Sequence, residues 1–208
     1  TYPFVVGNSS TSDSALLTGK ISNFRLVKGT AVYSAPFTPP TTALTAITNT
    51  VLLTCQDSTF KDNSTNNLTI TPATTTVKPV AIGPFTPSSY TSTTLPTTYG
   101  SGYFDNAGDY IIGPTSSSTL WLGAGDFTVE YWLYQPTNPD SATYDTHFSY
   151  STDGGTLRVF STGAVSKIEV FSGASVILNP AWPTAAQWNH FALVRFGSAI
   201  KTYLNGVA

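Results

Sequence analysis

The most regular alternation in the chain runs from residue 123 to 134, GAGDFTVEYWLY. After a turn closed by Gly125 and Asp126, Phe127, Val129, Tyr131 and Leu133 point one way and Thr128, Glu130, Trp132 and Tyr134 the other. That period of two defines a strand. One face is apolar throughout, and the other carries two more aromatics beside a single carboxylate. The pattern predicts a central strand covered on both sides. A second clear strand is Lys20 to Lys28, with Ser22, Phe24 and Leu26 on one face and Ile21, Asn23, Arg25 and Val27 on the other. A third, Trp188 to Arg195, pairs as a hairpin with Ile200 to Leu204 across Phe196 to Ala199.

Weaker signals fill the rest. Residues 2–7 and 51–55 read as short strands, and Leu68 to Thr71 as another after the turn-rich run Asp62 to Asn67. Residues 103–112, YFDNAGDYII, read as a hairpin-like pair of half-strands around Asn106 to Asp109. Segments at His147 to Tyr150, Leu157 to Ser161, Ser166 to Phe171 and Val176 to Leu178, separated by Gly-centred turns, predict an antiparallel meander. AWPTAAQ, before Trp188, has room for one helical turn. Two stretches break the rhythm. Thr30 to Thr50, with Pro39 and Pro40, favours an extended connection, and Pro72 to Ser101 is expected to run along a surface, partly as an edge strand.

Composition agrees with an all-β chain: Ser and Thr supply roughly a quarter of the residues, a bias to β-branched and turn-forming types. At 208 residues the chain can bury a core without staples, and its lone Cys55 allows no intrachain disulfide. A net charge of −2, with nine scattered basic residues, offers no footprint for nucleic acid or anionic lipid. No apolar run approaches membrane-spanning length, so membrane insertion is not expected. The absence of Met, a start inside a strand pattern, and a stop just after the hairpin signal Asn205-Gly206 read as a piece of something larger.

The ordered set VLLTCQDSTFKDNSTNNLTIT and YFDNAGDYI, then GDFTVEYWLY, then WNHFALVRFGSAIKTYLNGVA resembles the concanavalin A-like lectin/glucanase superfamily in its laminin-G-like and pentraxin-like branch. ISNFRLVKG, at 21–29, resembles that domain's closing strand, which in the family follows the LNG turn but here precedes everything else. The resemblance implies an antiparallel jelly-roll β-sandwich, circularly out of phase with the numbering. It divides the chain into residues 1–42, the C-terminal strands of a module, a linker at 43–50, and the N-terminal and central part of a module at 51–208. Similar modules recur in tandem in marine bacteriophage structural proteins and bacterial surface proteins. Neighbouring copies are therefore expected as partners, and an extracellular or virion-surface location follows.

Candidate chemistry is sparse. A glucanase needs two carboxylates a few ångströms apart, yet the only glutamates, Glu130 and Glu169, fall on different strands. A structural, paired or solvated Glu130 and a hydrogen-bonded His190 are expected, and no enzyme. One Cys and two distant His make no zinc site. Calcium is what the resemblance implies, with Asp105, Asn106 and Asp109 as candidates and Asp62 and Asn63 second; the same residues also make ordinary turns. Sugar binding asks for an exposed aromatic beside amide or carboxylate groups, and Trp182, Tyr144, Tyr150 and Asn138 lie in or near predicted loops. Core packing is the alternative for Trp182, and the expectation for Trp132 and Trp188. The expected function is a non-enzymatic, lectin-like module of a phage virion or cell-surface fibre, adhering to cell-surface glycans. The alternative is a structural repeat that builds a fibre or decorates a capsid by exchanging strands or edges between copies.

Overall fold

Fourteen strands carry the described part of the chain in a computed structural model, which describes residues 4–9, 15–86, 99–114, 118–138, 144–152, 155–162, 167–172, 175–178 and 183–208. In chain order they are β1 (Phe4–Val6), β2 (Thr18–Lys28), β3 (Thr50–Thr54), β4 (Thr71–Pro72), β5 (Lys78–Val80), β6 (Ser101–Asp105), β7 (Ile111–Ile112), β8 (Phe127–Tyr134), β9 (Tyr144–Thr152), β10 (Gly155–Thr162), β11 (Lys167–Ser172), β12 (Ser175–Leu178), β13 (Trp188–Phe196) and β14 (Ala199–Leu204). A single 3-10 turn covers Ser118–Leu120, and no α-helix occurs among the described residues. All pairings are antiparallel.

Two sheets result. One has the order β12-β11-β10-β9-β1-β7-β4, the other β14-β13-β8-β2-β6-β5 with β3 also paired to β2. The sandwich forms because each sheet has one apolar face to hide. Between them lie Phe4, Val6, Ile111, Phe148 and Val159 from the first sheet, and Ile21, Phe24, Leu26, Val129, Tyr131, Leu133, Phe191 and Leu193 from the second. Phe24 stacks on Tyr131 at 5.5 Å between centroids and meets Phe148 edge-on at 5.6 Å, so aromatic contacts join the layers.

The expected central strand is central. β8 lies between β13 and β2, its apolar face buried in the core and its outer face covered at Thr128 and Glu130 and half-buried at Trp132 and Tyr134. The Asn205-Gly206 turn forms with φ of 51° and 79°, and Val207 returns to bridge Leu204. Four expectations change. β2 does not alternate throughout: its register against β8 shifts between Ser22 and Arg25, where Asn23 adopts φ 54°. This bulge puts Ile21, rather than Ser22, on the core face with Phe24 and Leu26. Residues 103–112 make no hairpin, because β6 joins one sheet and β7 the other. The short strand after the Asp62–Asn67 loop falls at Thr71–Pro72 rather than Leu68 to Thr71. The described part of AWPTAAQ is a turn, with Ala186 at φ 57° and its N–H donating to the Gln135 carbonyl at 2.7 Å.

The Pro- and Thr-rich segment from 30 to 49 has no regular structure of its own. It lies against the outer face of the β8-containing sheet, where Ala31, Tyr33 and Phe37 pack on Ala192, Val194 and Tyr203. The Phe37 N–H donates to the Gly206 carbonyl at 3.0 Å. A Cβ on Gly206 would come within 1.8 Å of the Phe37 carbonyl oxygen, so this approach requires glycine.

Candidate functional site: a polar cleft and the buried clusters behind it

Two buried polar assemblies frame the sandwich. On the outer face of the β8-containing sheet, Glu130 Oε1 accepts from Arg25 Nε at 2.9 Å and Nη2 at 2.6 Å. Its Oε2 accepts from the Tyr33 hydroxyl at 2.7 Å and lies 3.1 Å from His190 Nε2. The carboxylate is thus met by three elements, β2, β13 and the 30–49 segment. Burial alone would raise its pKa, but the hydrogen bond from His190 and the charge of Arg25, with Tyr33 adding to them, hold it below the usual carboxylate range. Burial and the Glu130 charge push the Tyr33 hydroxyl up.

The second assembly lies among β8, β9 and β10. The Tyr131 hydroxyl is 2.7 Å from His147 Nδ1, His147 Nε2 is 2.7 Å from Ser161 Oγ, Ser161 donates to Gln135 Oε1 at 2.9 Å, and Gln135 Nε2 donates to Asp145 Oδ2 at 2.9 Å. One consistent proton order runs from Tyr131 to the Asp145 carboxylate, with each member donating to the next. Burial pushes the His147 pKa down to about 3, so this imidazole is neutral. Ser161 and His147 are both completely buried, and in this order His147 Nε2 donates to Ser161 instead of taking its proton, so the two are not set as nucleophile and base. The chain is a structural element of the core.

The open feature lies at the Asn23 bulge. Gln56 and Asp57 follow β3, and the strand leaves its sheet at Cys55, which has φ 60° and is buried with its thiol pushed up to about 12 by desolvation. Asn23 Oδ1 accepts from the Leu44 N–H and from Gln56 Nε2, both at 2.7 Å, and Gln56 Nε2 also donates to the Leu44 carbonyl at 2.7 Å. These bonds hold residues 43–46 opposite residues 56–63 and leave a cleft of about 430 Å³ between them. That volume suits a small ligand. Its polar lining is Thr45, Gln56, Asp57, Lys61 and Asn63, with Leu44 and Leu53 as apolar wall. Asp57 Oδ2 accepts from Lys61 Nζ at 3.0 Å and from Asn63 Nδ2 at 2.8 Å, and Asn63 Nδ2 also reaches Gln56 Oε1 at 3.1 Å. A carboxylate, an amide and an ammonium are held together by one another, a set able both to donate to and to accept from hydroxyl groups.

The residues singled out from sequence fall in several places. Tyr144, exposed, and Tyr150, half-buried, stand near opposite ends of β9, six residues or about 20 Å apart, so they share no platform. Tyr144 meets Phe160 edge-on at 5.4 Å, and Tyr150 packs toward Phe4 at 6.4 Å. Asn138 is exposed after β8, and Trp182 lies outside the described residues. Asp105, Asn106 and Asp109 are close together in the turn between β6 and β7. The buried Asp109 carboxylate accepts from Thr74 and Thr76 on one oxygen and from the Asp105 N–H on the other, while Asp105 accepts from the Ala107 N–H at 3.0 Å. Burial opposes ionisation of Asp109, but the Thr76 and Thr74 hydroxyls and the Asp105 N–H hold its carboxyl below the usual value. These oxygens serve the turn itself; a calcium ion there would have to take oxygens that are already bonded. Asp62 accepts from Leu53, Ser64 and Leu68 N–H groups at 2.8–3.0 Å and is likewise occupied, whereas Asn63 faces the cleft. Among the described residues no cluster of three His, Cys, Asp or Glu side chains could hold a metal ion.

Trp132 and Trp188 sit on the outer face of the sheet rather than in the core: Trp132 lies 5.2 Å from His190 and Trp188 5.6 Å from Tyr134. Glu130 and Glu169 belong to different sheets, since β11 lies in the other layer from β8. The Arg25–Glu130 pair spans 105 positions and had no sequence signal beyond two charges on covered strand faces. The cleft's signal was the cluster of Gln, Asp and Asn from 56 to 63, legible as a turn but not as a concavity.

Two packed antiparallel sheets are the architecture of a concanavalin A-like β-sandwich. The comparison with family models specifies it: Laminin_G_3, of the concanavalin A-like lectin/glucanases superfamily, matches residues 104–208, slightly more than half of the chain, and the chain belongs to that family. The matched part begins in β6 and includes β8, β13 and β14. No curated protein and no solved structure matches the chain.

Proposed function

We propose that the protein is a non-catalytic, lectin-like module of a virion or cell-surface fibre that adheres to cell-surface glycans, and that the cleft between residues 43–46 and 56–63 receives the sugar. The observation carrying this reading is that cleft: it is open, about 430 Å³, and lined by Asp57, Lys61 and Asn63 beside aliphatic wall. Mixed donors and acceptors on an apolar support are what a polyhydroxylated ring needs. Membership of a lectin-containing superfamily supports the class of ligand. The location of β2 between β8 and β6 of its own chain supports a self-contained module over strand exchange between copies.

A glycan array tests this. Retention of a defined set of oligosaccharides is expected, with Asn63→Ala weakening it about tenfold or more through loss of an amide in a partly buried site. No retention on any glycan, or retention indifferent to Asn63→Ala and Asp57→Asn, would overturn the assignment. Release of reducing sugar would overturn the non-catalytic part.

A further inference from the structure

The cleft wall is tied to a charge pair buried beneath it. Leu44 is held by Asn23 and Gln56, but the next residue, Thr45, is held differently: its carbonyl accepts from Arg25 Nη1 at 2.9 Å. The other two nitrogens of the guanidinium, Nε and Nη2, each donate to Glu130 Oε1. Arg25 is therefore a fork with one face fixed on the sheet and one tooth in the wall. Glu130 is itself fixed through its other oxygen by Tyr33 and His190. A buried guanidinium with planar, rigid geometry transmits position in a way that a flexible ammonium does not.

We infer that Arg25, oriented by Glu130, is a positioning residue for the cleft, setting the place of the Thr45 wall and so the affinity of whatever the cleft binds. The inference rests on the reading of the cleft as a ligand site, and Arg25, Glu130, Tyr33 and His190 do not themselves line the cleft. Tyr33, which bonds Glu130 through its hydroxyl, stacks on Phe37 at 3.6 Å, and the Arg25–Glu130 pair is buried.

The informative variant is Arg25→Lys. A lysine keeps the buried positive charge beside Glu130, but one ammonium cannot reproduce the fork that reaches Glu130 and the Thr45 carbonyl together. The control is Val129→Ala, a core truncation on the same strand as Glu130 but on its opposite face, which lowers stability without touching the wall. Two readouts are needed: amide hydrogen exchange of residues 44–46, and affinity for cellotetraose, laminaritetraose and mannotetraose measured well below the melting temperature. Arg25→Lys is expected to speed exchange at 44–46 and weaken binding of whichever probe the wild type takes by about tenfold. Val129→Ala is expected to change neither.

If Arg25→Lys does not fold, the pair Arg25→Met with Glu130→Leu removes both charges and serves the same purpose, because apolar replacement of a buried ion pair is tolerated where removal of one partner is not. Unchanged exchange at 44–46 in a folded variant would overturn the inference, as would equal loss of affinity in Val129→Ala. A wild type that binds none of the probes counts against the ligand reading alone, and the exchange measurement still decides the clamp.

Discussion

At the scale of single residues, the buried charges set the clearest expectations. Glu130 has no exposure and four hydrogen-bond donors around it, two of them from the charged Arg25 fork. Truncation to Ala leaves that guanidinium buried without its anion, and a loss of about 3–5 kcal/mol in urea unfolding is expected. His147 gives a pH dependence whose sign is fixed. The unfolded chain takes up a proton near pH 6.5, while the folded imidazole stays neutral until about pH 3. Between those values the unfolded state binds more protons, so stability is full above pH 6.5 and falls by about 1.4 kcal/mol per pH unit as the pH drops. Glu130 acts in the same direction at lower pH, since its depressed carboxyl stays ionised where the unfolded one protonates. His147→Gln is expected to flatten the slope between pH 6 and pH 4 by about one proton, read from unfolding curves at several pH values. An unchanged slope would mean that the imidazole titrates normally in the folded protein.

At the scale of elements, the alternation of β8 was legible because both of its periods survive intact in the fold: Phe127 to Leu133 inward, Thr128 to Trp132 outward. β2 was legible as a strand but not in its facing, because one left-handed residue, Asn23, shifts the register and an asparagine in a strand pattern does not announce a bulge. The false hairpin at 103–112 has a related cause. Turn residues show that the chain reverses, and nothing local shows that it leaves one sheet for the other. The 30–49 segment forms no helix or strand, and nothing local in its sequence pointed to the sheet face it covers, since Tyr33 and Phe37 find Ala192, Val194 and Tyr203 only through the fold. Gly206→Ala tests how that segment is docked. The added methyl meets the Phe37 carbonyl, so faster amide exchange over residues 31–37 and a stability loss of about 1–3 kcal/mol are expected. Preserved exchange rates would show that the docking does not depend on this contact.

At the scale of the whole molecule, the placement of β2 matters most. It pairs with β8, β6 and β3, so residues far apart in sequence share one sheet and the N-terminal part of the chain supplies its middle. A chain lacking residues 1–29 loses β1 and β2 from both sheets and is expected not to fold, as read by far-UV circular dichroism and loss of a cooperative melt. Cooperative folding of that truncation would contradict the topology. The all-β character was legible from composition and strand spacing, and the sandwich from the resemblance to the family. The cleft was not, because it depends on the Asn23 bulge and the turn at Cys55 bringing residues 43–46 and 56–63 face to face across the fold.

Nuclear magnetic resonance titration of the isotopically labelled protein, with an oligosaccharide selected on a glycan array, tests the glycan-binding cleft most directly. The expected result is saturable shift changes concentrated at Leu44 to Ala46 and Gln56 to Asn63, with the Asn63 side-chain amide among the largest. Shift changes centred instead on Tyr144 or Asn138, or none at all at saturating sugar, would contradict the assignment.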